Sequence, residues 1–408
     1  MLPEGWNIIP LEALALVERG RFSVRPRNDP RYYGGKMPFV QTGDISSSEC
    51  YLNSYSQTLN DAGVNVSKVF EKNAILMTIA ANIGDSAITQ FAVACPDSVV
   101  GIQPYTDKAN VVWLKYTLDT FKESLSNQAG KNAQKNINLQ VLKPLAIPTP
   151  PLAEQKKIAE ILSTWDEAIS VVGKQLENCR QQKKALMQQL LTGKKRLPGF
   201  GGEWKNTTIG EVFSFHRTLS NSRDELCASG DYSYIHYGDI HKSFSSHWDC
   251  SKESLPEISA TLVKNTFFVE EGDLIIADAS EDYEGIGKAI EIIKKHQKPV
   301  VSGLHTMLLR PVKGIFAHCF AGYLIQGVDV KKQFRKIATG VSVFSLSKGE
   351  LSQVEIKIPP VEEQKAISEI LFSLDKEIGI LHKKLMLLQS EKQALMQQLL
   401  TGKKRVAV

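Results

Sequence analysis

Apolar residues recur at alternating intervals of three and four along two stretches of this chain. In the first, Leu162, Trp165, Ile169, Val172, Leu176, Cys179, Leu186 and Leu190 form the stripe, and Lys183 interrupts it. In the second, Leu371, Leu374, Ile378, Leu381, Leu385, Leu388, Leu395 and Leu399 keep the same register, and Lys392 interrupts it. A 3/4 alternation held over several heptads is a coiled-coil seam rather than the broader apolar face of a globular helix. Pro150 and Pro151 stand before the first stripe and Gly193 after it, as helix-start and helix-end signals. The pattern therefore predicts one helix from Leu152 to Leu191 and another from Val361 to Leu400. At 1.5 Å per residue, about 40 residues span roughly 60 Å, which suits a spacer. A seam lysine has two readings. It fixes register or orientation at some cost in stability, or it lies near a frayed end and extends to water.

The two stretches are copies. Ala185 to Arg196 recurs letter for letter as Ala394 to Arg405, an offset of 209. The same offset carries Pro151, Glu154, Gln155 and Ile161 onto Pro360, Glu363, Gln364 and Ile370. This is a tandem duplication, and the two helices are expected to pair with each other.

The remaining segments read as mixed α/β. Short β-rich runs such as Ile75–Ile79 and Leu274–Ala277 alternate with turn signals. The two segments barely match, yet landmarks recur in the same order. Gly43-Asp44-Ile45 answers Gly238-Asp239-Ile240, and Ile83–Ile88 answers Ile286–Ile290. Ala129-Gly130 answers Thr339-Gly340, and Trp6 answers Trp204. Matched glycines imply matched turns, so a shared scaffold carries diverged surfaces. The organisation expected is a globular domain over 1–149, a long helix over 150–196, a second globular domain over 197–358 and a second long helix over 359–408. The fold class is α/β (α+β), with a pseudo-twofold internal repeat.

Composition adds little to this until charge is placed. The chain has a net charge of +5, 42% hydrophobic and 23% charged residues, ordinary values for a soluble protein. Residues 150–196 hold 9 Lys/Arg against 5 Asp/Glu, whereas 197–358 hold 18 against 20. The excess peaks at Lys194-Lys195-Arg196 and Lys403-Lys404-Arg405. A polyanion partner accounts for these triplets; so does a basic helix end complementing the helix dipole. No apolar run approaches the length of a membrane helix, and the start, Met-Leu-Pro-Glu-Gly-Trp, has no signal-peptide pattern. Six scattered cysteines without a Cys-x-x-Cys pair fit free thiols. The location expected is cytoplasmic.

Motifs for catalysis are missing from the sequence. Gly285-Ile-Gly287-Lys288 is too short for a phosphate loop, and Ala289 stands where a magnesium-binding hydroxyl belongs. His241, His247 and Cys250 match no standard metal spacing and read as isolated loop residues, so no metal site is assigned. Thr149-Pro150-Pro151-Leu152 lacks the amide and the aromatic of an amino-methyltransferase motif. Glu355-Ile-Lys357 has no suitable upstream aspartate for a nuclease element. Asp44 and Asp239 read as turn aspartates that bond backbone amides. The chain by itself is expected to be no enzyme.

Two diverged domains, each followed by a long helix that opens near Pro-Pro-x-x-Glu-Gln and closes on Leu-Leu-Thr-Gly-Lys-Lys-Arg, resemble the specificity subunit of type I restriction-modification systems. Ile147–Gln155, Ile356–Gln364 and the twelve-residue repeat carry the resemblance, with the Gly-Asp-Ile landmarks. It implies two target-recognition domains, each reading one half of a split site in double-stranded DNA. It implies an antiparallel coiled coil that sets the unread spacer. It also implies two modification subunits that use S-adenosylmethionine to methylate adenine, and two restriction subunits driven by ATP with Mg; none of these cofactors is expected on this chain. Ser280–Glu284 departs from the first domain by being longer and more acidic, which argues against close phosphate contact there.

Base contacts in such a subunit occupy its variable positions, so candidates rest on chemistry: Arg or Lys on guanine and phosphate, Asn or Gln on adenine. Arg19, Arg21, Arg25, Arg27, Arg31 and Lys36 cluster in the first domain, opposed only by Asp29. Tyr32, Tyr33, Gly34 and Gly35 interleave them, as on a mobile recognition loop. Lys131, Gln134 and Lys135 follow Gly130, and Lys331, Lys332, Arg335 and Lys336 precede Gly340, as equivalent edges facing the backbone. Arg217, Arg223, His241 and Lys242 complete the set. Two rival readings of the sequence are a non-catalytic coiled-coil adaptor that binds proteins, and a stand-alone DNA methyltransferase.

Overall fold

The computed structural model describes residues 2–129, 136–243, 245–252 and 254–407. Lys131, Gln134 and Lys135 lie outside the described residues. Five helices matter below: α1 (Val111–Asp119), α2 (Leu152–Leu190), α3 (Phe320–Ile325), α4 (Val328–Ile337) and α5 (Val361–Leu399). The two long ones, α2 and α5, have 39 residues each. Pro150-Pro151 and Pro359-Pro360 stand before their first turns. Gly193 at φ +68° and Gly402 at φ +74° follow their ends, in the left-handed conformation that stops a helix at little cost for glycine. No helix among the described residues is long and apolar enough to cross a membrane.

The chain forms two compact units, residues 1–173 with 384–408, and residues 174–383. In the first, β1 (Ala15–Arg19), β2 (Tyr51–Leu52), β3 (Ile75–Thr78), β4 (Ser86–Thr89) and β5 (Val99–Pro104) form a sheet in the order β1-β5-β3-β4-β2. Neighbours are antiparallel except β2 and β4, which are parallel. β3 and β4 are buried along their whole length, which is why Ile75–Thr78 reads as a continuous apolar run rather than an alternating one. A second sheet orders Gln57–Leu59, Tyr33–Phe39, Val93–Cys95 and Lys68–Phe70. Asn7–Pro10 pairs antiparallel with Ala146–Thr149 at the foot of α2. Ile158, Ala159 and Leu162 of α2 enter this unit's main core together with Leu399 and Leu400 at the end of α5.

The second unit repeats the plan. Its strands are β6 (Phe213–His216), β7 (His247–Asp249), β8 (Leu274–Ala277), β9 (Ala289–Lys294) and β10 (Thr306–Pro311), in the order β6-β10-β8-β9-β7. Again only the last pair is parallel. Glu257–Ile258, Tyr232–Ile235 and Val300–Ser302 form the smaller sheet, and Lys205–Thr208 pairs with Glu355–Ile358 at the foot of α5. Leu190 and Leu191 enter this core with Ile367 and Leu371 of α5. One strand order therefore arises twice from sequences that share little more than turns and apolar runs.

Candidate nucleic-acid interface

Each unit holds one end of α2 beside the opposite end of α5. In the first, Arg405 forks onto Glu154 at 2.7 and 2.8 Å, and Lys392 pairs with Asp166. In the second, Arg196 forks onto Glu363 at 2.6 Å for both bonds, and Lys183 lies 2.5 Å from Asp375. Within each unit the partner's number rises as the other falls, so the helices run antiparallel. All the seam positions, Leu162, Trp165, Ile169, Val172, Leu176, Lys183, Leu186, Leu190, Leu371, Leu374, Ile378, Leu381, Leu385, Leu388, Lys392, Leu395 and Leu399, are buried or half-buried. The seam lysines do not extend to water. Their side chains are 15% and 18% exposed, and each is held by an aspartate of the facing helix.

The Pro-Pro-x-x-Glu-Gln motif is a docking element for the globular part. Trp6 and Trp204 each donate Nε1 to the motif glutamate, Glu154 or Glu363, at 3.1 Å. Gln155 accepts from the Asn110 amide and donates to the Lys108 and Pro150 carbonyls. Gln364 does the same with Ala317, Ile315 and Pro359. Arg196 and Arg405 of the basic triplets are thus committed to ion pairs, whereas Lys194, Lys195, Lys403 and Lys404 remain exposed.

Arg19, Arg21, Arg25, Arg27, Arg31 and Lys36 are all exposed on the first unit. Asp29 is not their only counter-charge. Asp97 pairs with Arg27 at 2.6 Å, and its carbonyl accepts from Arg19 Nε at 2.5 Å. Arg31 pairs with Asp29, whose carboxyl the guanidinium holds below the usual carboxylate range. Arg25 donates to the Phe22 and Val24 carbonyls and Arg21 to that of Ser67, and neither meets a carboxylate among the described residues. The expected mobile loop is in part a strand. Tyr33 opens Tyr33–Phe39, and Tyr32 and Tyr33 turn their ring edges onto buried Phe22. Apolar packing thus holds both aromatics that the sequence placed on a mobile loop.

On the second unit Arg217, Arg223, Lys242, Lys332 and Lys336 are exposed. Arg223 pairs with Asp239 at 2.5 Å, on the same helical turn, Tyr237–Lys242, that carries His241 and Lys242. His241 Nε2 lies 2.8 Å from the Ala279 carbonyl. Two α4 candidates are drawn inward. Lys331 donates to the Ile286 carbonyl at 2.6 Å, and burial pushes its ammonium down to about 8. Arg335 pairs with Glu284 of the acidic loop. Lys331 and Arg335 therefore do not form a free basic edge with Lys332 and Lys336.

Asp44 and Asp239 do close turns, accepting from the Gln41 and His236 amides at 2.9 and 3.0 Å. His247 corrects the reading as a loop residue: it is buried in β7, with Nε2 2.8 Å from the Cys319 carbonyl. No cluster of metal-ligating side chains occurs among the described residues. Sequence reasoning missed Asp166, Asp375, Tyr116 and Tyr323. The offset of 209 already linked the two aspartates, just as it linked Lys183 to Lys392.

Residues 3–178 and 201–389 match the family model described as the type I restriction modification DNA specificity domain. A putative type I restriction enzyme specificity subunit of Methanocaldococcus jannaschii, MjaX, is 25% identical over 423 residues, 99% of this chain and 95% of its own. The MjaVIII specificity subunit of the same organism is 25% identical over 356 residues, 83% and 80% of the two chains. Among solved structures, the S subunit of a type I restriction-modification system from M. genitalium shares the fold at a TM-score of 0.61 and 18% identity, with 98% and 97% of the chains covered. A chain from a study of type I R-M complex assembly aligns at 0.58 and 18%, covering 99% and 100%.

Proposed function

The chain belongs to the type I restriction-modification DNA specificity family, and from that premise we propose that it reads a split site in double-stranded DNA, one half with each globular part. Its role is recognition of a DNA target, and its partners are that DNA and the other subunits of the system. The chemistry belongs to those subunits and not to this chain. The finer proposal is two modification subunits that carry S-adenosylmethionine and two restriction subunits that use ATP and Mg, assembled in the cytoplasm. The unread interval between the half-sites is set by the α2–α5 pair.

One observation carries the reading: the same sheet order and the same helix junction occur twice, under two different sets of exposed side chains. A rigid frame with variable loops is how one fold supplies two specificities. The test is selection from random duplexes by the full chain with its modification partner. A motif in two parts with an indifferent interval is expected, and a single continuous motif overturns the proposal. Arg25→Ala and Lys36→Ala remove exposed cations that no carboxylate neutralises among the described residues. Each is expected to weaken binding of the first half-site about tenfold, within the range for a lost base contact, and to leave selection of the second half unchanged.

A further inference from the structure

Asp166 and Asp375 each tie three elements together. Asp375, on α5, takes Lys183 of α2 on Oδ1 and the Tyr323 hydroxyl of α3 on Oδ2, at 2.5 and 2.6 Å. Asp166, on α2, takes Lys392 of α5 on Oδ1 and the Tyr116 hydroxyl of α1 on Oδ2. Both tyrosines are fully buried, and each lysine ammonium also lies over its tyrosine ring, at 5.4 and 4.8 Å. Burial first, then neighbouring anionic groups, raise both phenols far above their ordinary range, so they remain donors. One long helix supplies the lysine, the other the aspartate, and the globular part the tyrosine.

Such groups are a poor way to gain stability. A partly buried ion pair gives up hydration, and an apolar replacement of similar volume often does as well or better. Their distinctive property is selectivity among registers. The rest of the seam is mainly leucine and other apolar side chains, which pack comparably when one helix slides a heptad past the other. A slide of seven residues, about 10 Å, leaves Lys183, Asp375, Lys392 and Asp166 without partners, each at the cost of an unpaired, half-buried charge. The tyrosine adds a constraint that a coiled coil alone does not have, because it fixes the globular part to the same aspartate that fixes the register.

We propose that the Lys183–Asp375–Tyr323 and Lys392–Asp166–Tyr116 clasps are positioning residues for DNA recognition: each locks helix register and the seat of its own recognition domain on the helices at one carboxylate, and so determines the interval at which a half-site is read. This rests on the DNA reading above.

The test uses the full chain with its modification partner, and duplexes that carry the selected split motif with the interval changed one base pair at a time. Tyr116→Phe and Tyr323→Phe keep the packed ring and delete only the hydroxyl. Affinity at the preferred interval is expected to fall about tenfold, the loss of a hydrogen bond to a charged group, while affinity at neighbouring intervals falls less, so that the profile broadens. The half-site sequences stay the same. Asp375→Asn broadens it further. The exchanged pair Lys183→Asp with Asp375→Lys recovers part of the selectivity that Lys183→Asp loses. An unchanged interval profile in both tyrosine variants, or an equal loss on every duplex together with a lower Tm, overturns the proposal. A wild-type chain that selects no split motif defeats the DNA reading itself, a distinct outcome.

Discussion

Glu291 is a carboxylate almost without solvent, 2% exposed on β9. Its oxygens accept from the Cys319 and Gly322 amides at 2.8 and 2.7 Å, at the start of α3, the helix that carries Tyr323. A charge-assisted bond to a helix's first amides is worth more than a neutral one. Glu291→Gln leaves one acceptor and is expected to cost about 1–3 kcal/mol, measured by chemical denaturation. Lys331 acts in the opposite sense. Its folded pKa of about 8 lies below the ordinary value of 10.5, so between these pH values the unfolded chain binds more protons than the folded one. Stability associated with this group therefore rises as pH climbs from 8 towards 10.5, and the full penalty of the buried charge is present below 8. Lys331→Met carries no such charge. Denaturation of both proteins from pH 7 to 10.5 is expected to show the wild type gaining on the variant across that window; parallel curves contradict it.

At the scale of elements, the two glycines that end the long helices make a controlled comparison. Gly193 and Gly402 share a left-handed φ, and alanine at either incurs that backbone penalty, about 1–2 kcal/mol. A Cβ at Gly193 meets the Trp204 ring at 3.6 Å, ordinary contact, whereas at Gly402 it overlaps the ring of Pro3. Gly402→Ala is expected to lower the denaturation midpoint more than Gly193→Ala, and equal losses would show the Pro3 contact to be slack. These helices were legible from the chain alone, because a 3/4 stripe bounded by Pro-Pro and glycine is local information: the expected Leu152–Leu191 and Val361–Leu400 are observed as Leu152–Leu190 and Val361–Leu399. The Gly-Asp-Ile landmarks were legible for the same reason, since a turn aspartate bonds amides beside it. What the sequence withheld is long-range. Asp97 lies 70 residues from Arg27 in the chain, and Asp375 lies 192 from Lys183. Counter-charges at such separations carry no periodic signal, so the sequence showed Arg27 without its partner and left Lys183 between two readings. Tyr32 and Tyr33 misled for a related reason: only the fold brings Phe22 beneath them.

For the molecule as a whole, the duplication means that each junction borrows from both repeats. Glu154 and Asp166 of the first repeat meet Arg405 and Lys392 of the second, and Glu363 and Asp375 of the second meet Arg196 and Lys183 of the first. Any change of helix length must therefore be made twice to be tolerated. Between the clasp positions, α2 runs from 167 to 182 and α5 from 376 to 391, intervals of equal length. Deleting a heptad from one interval alone makes them unequal, so that both clasps cannot form on one antiparallel pair; a less stable chain with impaired DNA binding is expected. Deleting the matching heptad from both keeps the clasps and the apolar stripe. If the helices set the unread interval, that double deletion shortens the preferred interval by about 10 Å, or about three base pairs of duplex, while the two half-site sequences stay as they were. Selection from random duplexes with each variant reads both quantities at once. A double deletion that alters the half-site sequences and keeps the interval would mean that the helices carry the readers without measuring the distance between the sites they read.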